Sequence, residues 1–336
     1  MALFAAKKKA YLGMDLGGSN LYSVAFDADW RPIFHSKIDT EAKDGYLHVI
    51  DRVSAQIESL KKWLDEEGYD LAGIGLGVPG LVQSDTGTVF VAPNLGWTHC
   101  KPIRDMDLPQ EWKDKTVLLN DVNAGLLGEL HLMEEQPDCV VAYFCGTGIG
   151  GAVSLRGELI EGKDGAAGEV GHMIVRHGGR KCGCGRSGCL EAYIGKWALN
   201  HQILKALDGK RKTRLKSTIS YNLKKQPVKS SSLKKAYEKG DSFTVALMEE
   251  YYCQHLAAGL SQTVNLLAPD CIILGGGIME AMGAELIPVI TQHLSAMCIG
   301  PTPNLRLAEL GDLAGPMGAA LKAKDAENSF QKRRGA

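Results

Sequence analysis

A histidine and three cysteines, His172, Cys182, Cys184 and Cys189, fall at tight spacing within Gly-Glu-Val-Gly-His and Cys-Gly-Cys-Gly-Arg-Ser-Gly-Cys-Leu-Glu. Four such ligands close a tetrahedral zinc shell, and a shell filled by protein atoms makes the metal structural. The stretch between His172 and Cys182 is long enough to fold back, and the intervening glycines permit the sharp turns that aim three thiolates at one point. Glu169 and Glu191 flank the ligands, are not needed by the metal, and would be presented by the loop to a substrate. The competing readings are ordinary buried cysteines or part of a disulfide framework. The remaining cysteines stand singly in apolar runs, as free thiols do in a reducing compartment. A cytoplasmic location is therefore expected.

Three glycine-rich turns carry a second chemistry. Backbone N–H groups converge on a phosphate only where no Cβ stands in the way. The turns Asp15-Leu16-Gly17-Gly18-Ser19-Asn20, Gly146-Thr147-Gly148-Ile149-Gly150-Gly151 and Gly275-Gly276-Gly277 have that character. Asp15 offers a carboxylate suited to a magnesium-bound water, and Ser19 and Thr147 offer hydroxyls suited to phosphate oxygens. Two such turns from two lobes can grip one triphosphate from both sides. Formal dinucleotide-fingerprint matches occur at Gly146, Gly148 and Gly151 and at Gly75, Gly77 and Gly80, but that motif must pass from strand into helix. The first runs into the alternating Ala152 to Leu155 and the second contains Pro79. No P-loop motif occurs, and each glycine turn taken alone also reads as a plain tight turn. Asp121 is the candidate catalytic base, because it follows an apolar strand and opens a helix whose N-terminus keeps a carboxylate ionised. Asn120 adds a donor and an acceptor beside it, and a simple helix N-cap is the competing reading.

The elements that must position these groups show a weak internal duplication. Residues 10 to 38 read as strand, glycine turn, strand, turn and strand, and residues 139 to 161 repeat the pattern. Each meander leads into helical periodicity and then further strands: Leu47 to Leu64 is a helix and Leu71 to Val78 a strand in the first half. Val117 to Leu119 is a short strand, followed by a helix over Val122 to Met133. In the second half, Ser242 to Leu267 and Met279 to Met297 are helices around a strand at Cys271 to Leu274, with a last helix over Gly315 to Lys324. This alternation predicts two α/β lobes with a cleft between them. A smaller lobe is expected from 1–121 plus 311–336 and a larger one from 122–310, the latter carrying the zinc loop 172–189 and a basic insertion at about 208–240.

Composition agrees with a globular enzyme: 336 residues, 45% hydrophobic, with a formal charge of −1. No run approaches a membrane span or a secretory signal, and the charge gives no general pull toward nucleic acid or membrane. The lysine-rich segment 210–239 lacks interleaved aromatics and reads as a solvated insertion rather than a nucleic-acid patch.

In order along the chain, Asp15 to Asn20, Gly77-Val78-Pro79-Gly80, Pro93-Asn94-Leu95-Gly96-Trp97, Asn120-Asp121-Val122-Asn123-Ala124, Gly146 to Gly151, Gly168 to His172 and Cys182 to Glu191 resemble the ROK proteins (repressors, open reading frames and sugar kinases). The likeness runs from about Tyr11 to Leu321. It implies the two-lobed actin-like or hexokinase ATPase fold, duplicated ribonuclease-H-like domains, with a structural zinc loop. It also implies a hexose kinase of glucokinase type, with glucose in the interlobe cleft. ATP and Mg2+ would be held by Asp15, Gly17, Gly18, Ser19, Asn20, Gly146, Thr147, Gly148, Gly275, Gly276 and Gly277. Gly80, Asn94, Asn120, Asp121, Glu169, His172 and Glu191 would contact the sugar, Asp121 accepting the proton of the 6-hydroxyl. Family members are commonly homodimers or homotetramers, so a homo-oligomer is expected. Ser19 stands where threonine is commoner, and the basic insertion is long for the family. Only ten residues precede Tyr11, too few for a helix-turn-helix, so a DNA-binding repressor is not expected. Kinases for fructose, mannose or an N-acetylhexosamine, and a non-catalytic sugar sensor, are the remaining readings.

Overall fold

The computed structural model describes residues 7–218 and 223–334; part of the basic segment, 219–222, and both chain ends lie outside the described residues. The strands, in chain order, are β1 (Lys8–Leu16), β2 (Asn20–Asp27), β3 (Pro32–Asp39), β4 (Tyr69–Val78), β5 (Leu81–Gln83), β6 (Thr88–Ala92), β7 (Trp97–Cys100) and β8 (Thr116–Asn120). They continue with β9 (Cys139–Cys145), β10 (Ile149–Leu155), β11 (Glu158–Leu159), β12 (Cys271–Gly275) and β13 (Asn304–Leu307). Two five-stranded sheets follow the same plan, β3-β2-β1-β4-β8 and β11-β10-β9-β12-β13. In each, the first two strands of the meander are antiparallel and the later strands add in parallel. The duplication read from the glycine turns is therefore a duplication of sheet topology.

Two compact units result, one from Met1–Gln136, Leu159–Ala167 and Asp312–Ala336, the other from Pro137–Glu158 and Gly168–Gly311. The first unit continues past the boundary expected at 121 because the helix Asp121–His131 packs on the C-terminal helix Ala314–Arg334. That contact is close: a Cβ on Gly318 would lie 1.7 Å from the Ala124 carbonyl oxygen. The C-terminal helix also lies on the sheet at Gly13, where a Cβ would meet the Pro316 carbonyl oxygen at 1.8 Å. The amphipathic helix Tyr46–Glu66 buries Val49, Ile50, Val53, Ile57, Leu60 and Leu64, the stripe that its periodicity predicts. A small antiparallel sheet, β5-β6-β7, adds to this unit and was not anticipated from the sequence.

In the second unit, β9 and β12 are almost wholly buried, as parallel strands covered on both faces are. The helix expected over Ser242 to Leu267 forms as Ser242–Ala246, a π-helical stretch Leu247–Cys253 and Gln254–Leu267. The basic segment departs from expectation. It is not a solvated excursion: Leu215, Leu223, Val228, Leu233 and Ala236 are buried in the main core of this unit. Asn200 fastens it, donating to the carbonyls of Leu223 and Gln226 and accepting from the Val228 N–H at 2.7 Å. The lysines face outward while sparse apolar residues face in, a pattern that a charge count does not register.

Leu233→Ala should accordingly destabilise the protein by about 2–5 kcal/mol in urea unfolding, against about 0.5 kcal/mol or less for the exposed Lys235→Ala. Equal small effects at both positions would return the segment to the role of a solvated loop.

Candidate active site and metal centre

In the first unit the candidate residues stand at the carboxyl ends of three adjacent strands, β1, β4 and β8. The turn after β1 is closed by Gly17 N–H donating to Asn20 O at 2.8 Å, and Thr40 braces it through N–H to Ser19 O and Oγ1 to Gly17 O. The short helical turn Pro93–Leu95 rests on this loop: a Cβ on Gly18 would lie 2.9 Å from Asn94 O. The pocket there, about 300 Å3, is lined by Asp15, Gly18, Ser19, Asn20, Lys37 and Asp312 among others.

Asn120 ends β8 and caps the helix that Asp121 opens. Its Oδ1 accepts from the N–H groups of Val122 and Asn123, and its Nδ2 donates to Gly80 O at 2.9 Å and Asp121 Oδ1 at 3.0 Å. The Asp121 carboxylate also accepts from Val122 N–H. Asn120 is thus both helix cap and positioning group, and the simple-cap reading of Asp121 is transferred to its neighbour. Gly80, at φ 100°, lets the chain turn back against β6 and brings its carbonyl to Asn120.

Burial, with Asp121 and Asp312 as like-charged neighbours, pushes the Asp15 carboxyl up to about 7, and Lys37 opposes the shift. Lys37 and Asp312, which pair at 3.5 Å, carry no motif and enter the site only through folding. A carboxylate crowded by carboxylates beside phosphate-type turns suits a hydrated divalent cation. The donor set therefore fits Mg2+, with Asp15 as the group that would hold it.

In the second unit, His172, Cys182, Cys184 and Cys189 come together with all ligand atoms within 4.8 Å of one another. His172 Nδ1 lies 3.7 Å from Cys182 Sγ, and Cys184 Sγ lies 3.7 Å from Cys189 Sγ. Ligands of a tetrahedral zinc with Zn–S bonds of about 2.3 Å stand roughly 3.8 Å apart, whereas a disulfide needs about 2.05 Å. The fit is to zinc, and the nine cysteines are all free thiols. Short antiparallel bridges, Ile174 with Cys189 and Lys181 with Ser187, shape the loop. The N–H of Arg186 holds the Cys184 thiol below its ordinary value, whereas burial pushes the Cys182 and Cys189 thiols up, so only Cys184 is favoured as a thiolate by the protein alone.

His172 turns Nε2 toward Glu169, at 3.8 Å from Oε2. Glu191 does something that its motif does not disclose. Its Oε2 accepts from Ile149 N–H at 3.0 Å, within the second glycine turn, and its Oε1 lies 3.5 Å from Cys182 Sγ. One carboxylate therefore bridges the metal loop to the glycine turn. Gly148 leaves room for it, since a Cβ there would lie 2.5 Å from Glu191 Oε2. The turn itself closes through Gly146 N–H to Gly148 O at 2.9 Å. Gly276, at φ 85°, places the third turn against the carbonyl of Cys145, beside the second. Thr147 is exposed at the tip.

Comparison with known proteins agrees with this geometry. The profile of the ROK family matches residues 11–326. The chain is 30% identical to a glucokinase of Thermotoga maritima over 95% of its own length and 98% of that protein's. It is 27% identical to an N-acetyl-D-glucosamine kinase of Pectobacterium atrosepticum, over 93% and 98%. A ROK family glucokinase from Streptomyces griseus, solved in complex with glucose and AMPPNP, superposes with a TM-score of 0.76 at 27% identity, covering 94% of this chain and 99% of that one. The fold is the actin-like ATPase fold of the ROK sugar kinases.

Two outcomes are expected. Metal analysis of the purified protein should find one zinc per chain, and Cys184→Ser should lose it and lower Tm; a native protein without zinc would refute the four-ligand centre. For Asp15, the folded chain keeps a proton between the ordinary carboxylate range and about pH 7 that the unfolded chain has released, so this group costs stability as pH rises through that window. Without nucleotide or magnesium, Asp15→Asn should raise Tm more at pH 8 than at pH 5. No gain at pH 8 would contradict the crowded-carboxylate account.

Proposed function

The chain belongs to the ROK family and is a sugar kinase, and from that premise we propose that it transfers the γ-phosphoryl group of ATP to a hexose, glucose first, giving glucose 6-phosphate. The observation that carries this reading is Asp121, a half-buried carboxylate at the N-terminus of a helix, held by Asn120 and Val122 and electrostatically coupled to Asp15.

Asp121 acts as general base: its carboxylate takes the proton of the sugar 6-hydroxyl as the hydroxyl oxygen attacks phosphorus in line. Asn94, Asn120 and Gly80 on the first unit, and Glu169, His172 and Glu191 on the second, bind the sugar. The donor is held by Asp15, Gly17, Gly18, Ser19 and Asn20, and by Gly146, Thr147, Gly148 and Gly275 to Gly277. Magnesium, when bound, would neutralise phosphate charge, and Asp15 is the residue that would hold it. Phosphoryl transfer needs little covalent help from the protein, so positioning and charge neutralisation carry most of the rate. Zinc here is structural: four protein ligands leave no open position. His172 would bind it through Nδ1 and keep Nε2 for the sugar.

The likeness to glucokinases supports glucose. The comparable likeness to N-acetyl-D-glucosamine kinases supports an N-acetylhexosamine as the second reading.

Asp121→Asn preserves the acceptor for Val122 N–H and Asn120 Nδ2 and removes the base. It should lower kcat by about 10²- to 10⁴-fold while the KM for sugar moves little. Wild-type turnover in that variant would remove Asp121 from its assigned role.

A further inference from the structure

We propose that Lys196 is a donor-binding residue, its ammonium group contacting a phosphate of the nucleotide held by the second and third glycine turns. The inference rests on the kinase reading above and adds to it a residue outside every glycine turn and metal motif.

The two turns lie side by side because β9 and β12 are adjacent parallel strands that end together, the edge at which open α/β sheets bind ligands. Lys196 sits at the first residue of the helix Lys196–Asp208 and touches both turns. Its backbone N–H donates to Gly146 O at 3.3 Å. Its side chain crosses to the third turn: a Cβ built on Gly277 would stand 3.2 Å from Lys196 Nζ and 3.4 Å from Ser230 Oγ. Gly195 makes this approach possible, since its own Cβ position is only 3.0 Å from Thr147 O.

The cation is half-buried without an ion-pair partner among the described residues. Burial lowers its proton affinity, and Glu280, exposed on the next helix, partly restores it. A half-buried ammonium without a paired carboxylate is an unfavourable arrangement for stability alone. It becomes favourable when an anion binds against it. The helix Gly277–Ser295 begins there with no side chain capping its N-terminus, so backbone N–H groups and the ammonium face the same place. The chemistry selected is a phosphate of a nucleoside polyphosphate, which lysine meets as a point charge.

The test is calorimetric binding of ATP, ADP and adenosine to the full-length, zinc-loaded protein, in wild type, Lys196→Met and Lys196→Arg, with donor and sugar KM measured in parallel. Lys196→Met should weaken ATP and ADP by about tenfold or more. It should leave adenosine binding and the sugar KM unchanged and should not lower Tm, and Lys196→Arg should restore most of the affinity. Unchanged ATP affinity in Lys196→Met, or an equal loss for adenosine, would overturn the proposal while leaving the kinase reading intact. A folded wild-type protein that binds no ATP would instead sink the kinase reading, and this proposal with it.

Discussion

A carboxylate held half-buried beside two others is the constraint on which the first unit depends. Asp15 ends β1, Asp121 follows β8, and Asp312 precedes the C-terminal helix that packs across the same sheet. Sheet order places β4 between the first two, and helix packing brings in the third. The fold thus gathers negative charge that, by itself, works against folding as pH rises from the ordinary carboxylate range to about 7. Such strain persists where a bound cation offsets it, which is the expected trade between stability and function at an active site. Lys37, reaching in from β3, supplies only part of the compensation.

The second unit solves a related problem with backbone and metal ligands. Its glycine turn is short of side chains and closes through its own backbone, Gly146 N–H to Gly148 O, and the Glu191 carboxylate braces it from outside by accepting from Ile149 N–H. Glu191 lies two residues after Cys189 and against Cys182. One side chain therefore touches both the turn and the metal loop. A sugar contact at Glu191, as proposed, would use this same carboxylate and would couple the substrate to the metal loop and the turn.

Much of this was legible in the sequence because it is local. His172 and the three cysteines, the glycine turns and Asn120-Asp121 each carry their signal in spacing over a few residues, and the repeated meander announced the repeated sheet. The rest was not local. Lys37, Asp312 and Lys196 acquire their places only from strand order and helix packing, and no spacing marks them. β5, β6 and β7 are three to five residues long and broken by turns, too short for an alternating pattern to stand out. In the basic segment, Leu215, Leu223, Val228 and Leu233 are so widely spaced among lysines that charge concealed a buried stripe.

The central claim is hexose phosphorylation, and the most direct measurement is ATP-dependent ADP release by the zinc-loaded protein with glucose, fructose, mannose, N-acetylglucosamine and N-acetylmannosamine, with the position of phosphate read on the product. The account predicts the fastest turnover on glucose and a product phosphorylated at the 6-hydroxyl. A folded, zinc-loaded protein that releases no ADP with any of the five sugars would contradict it.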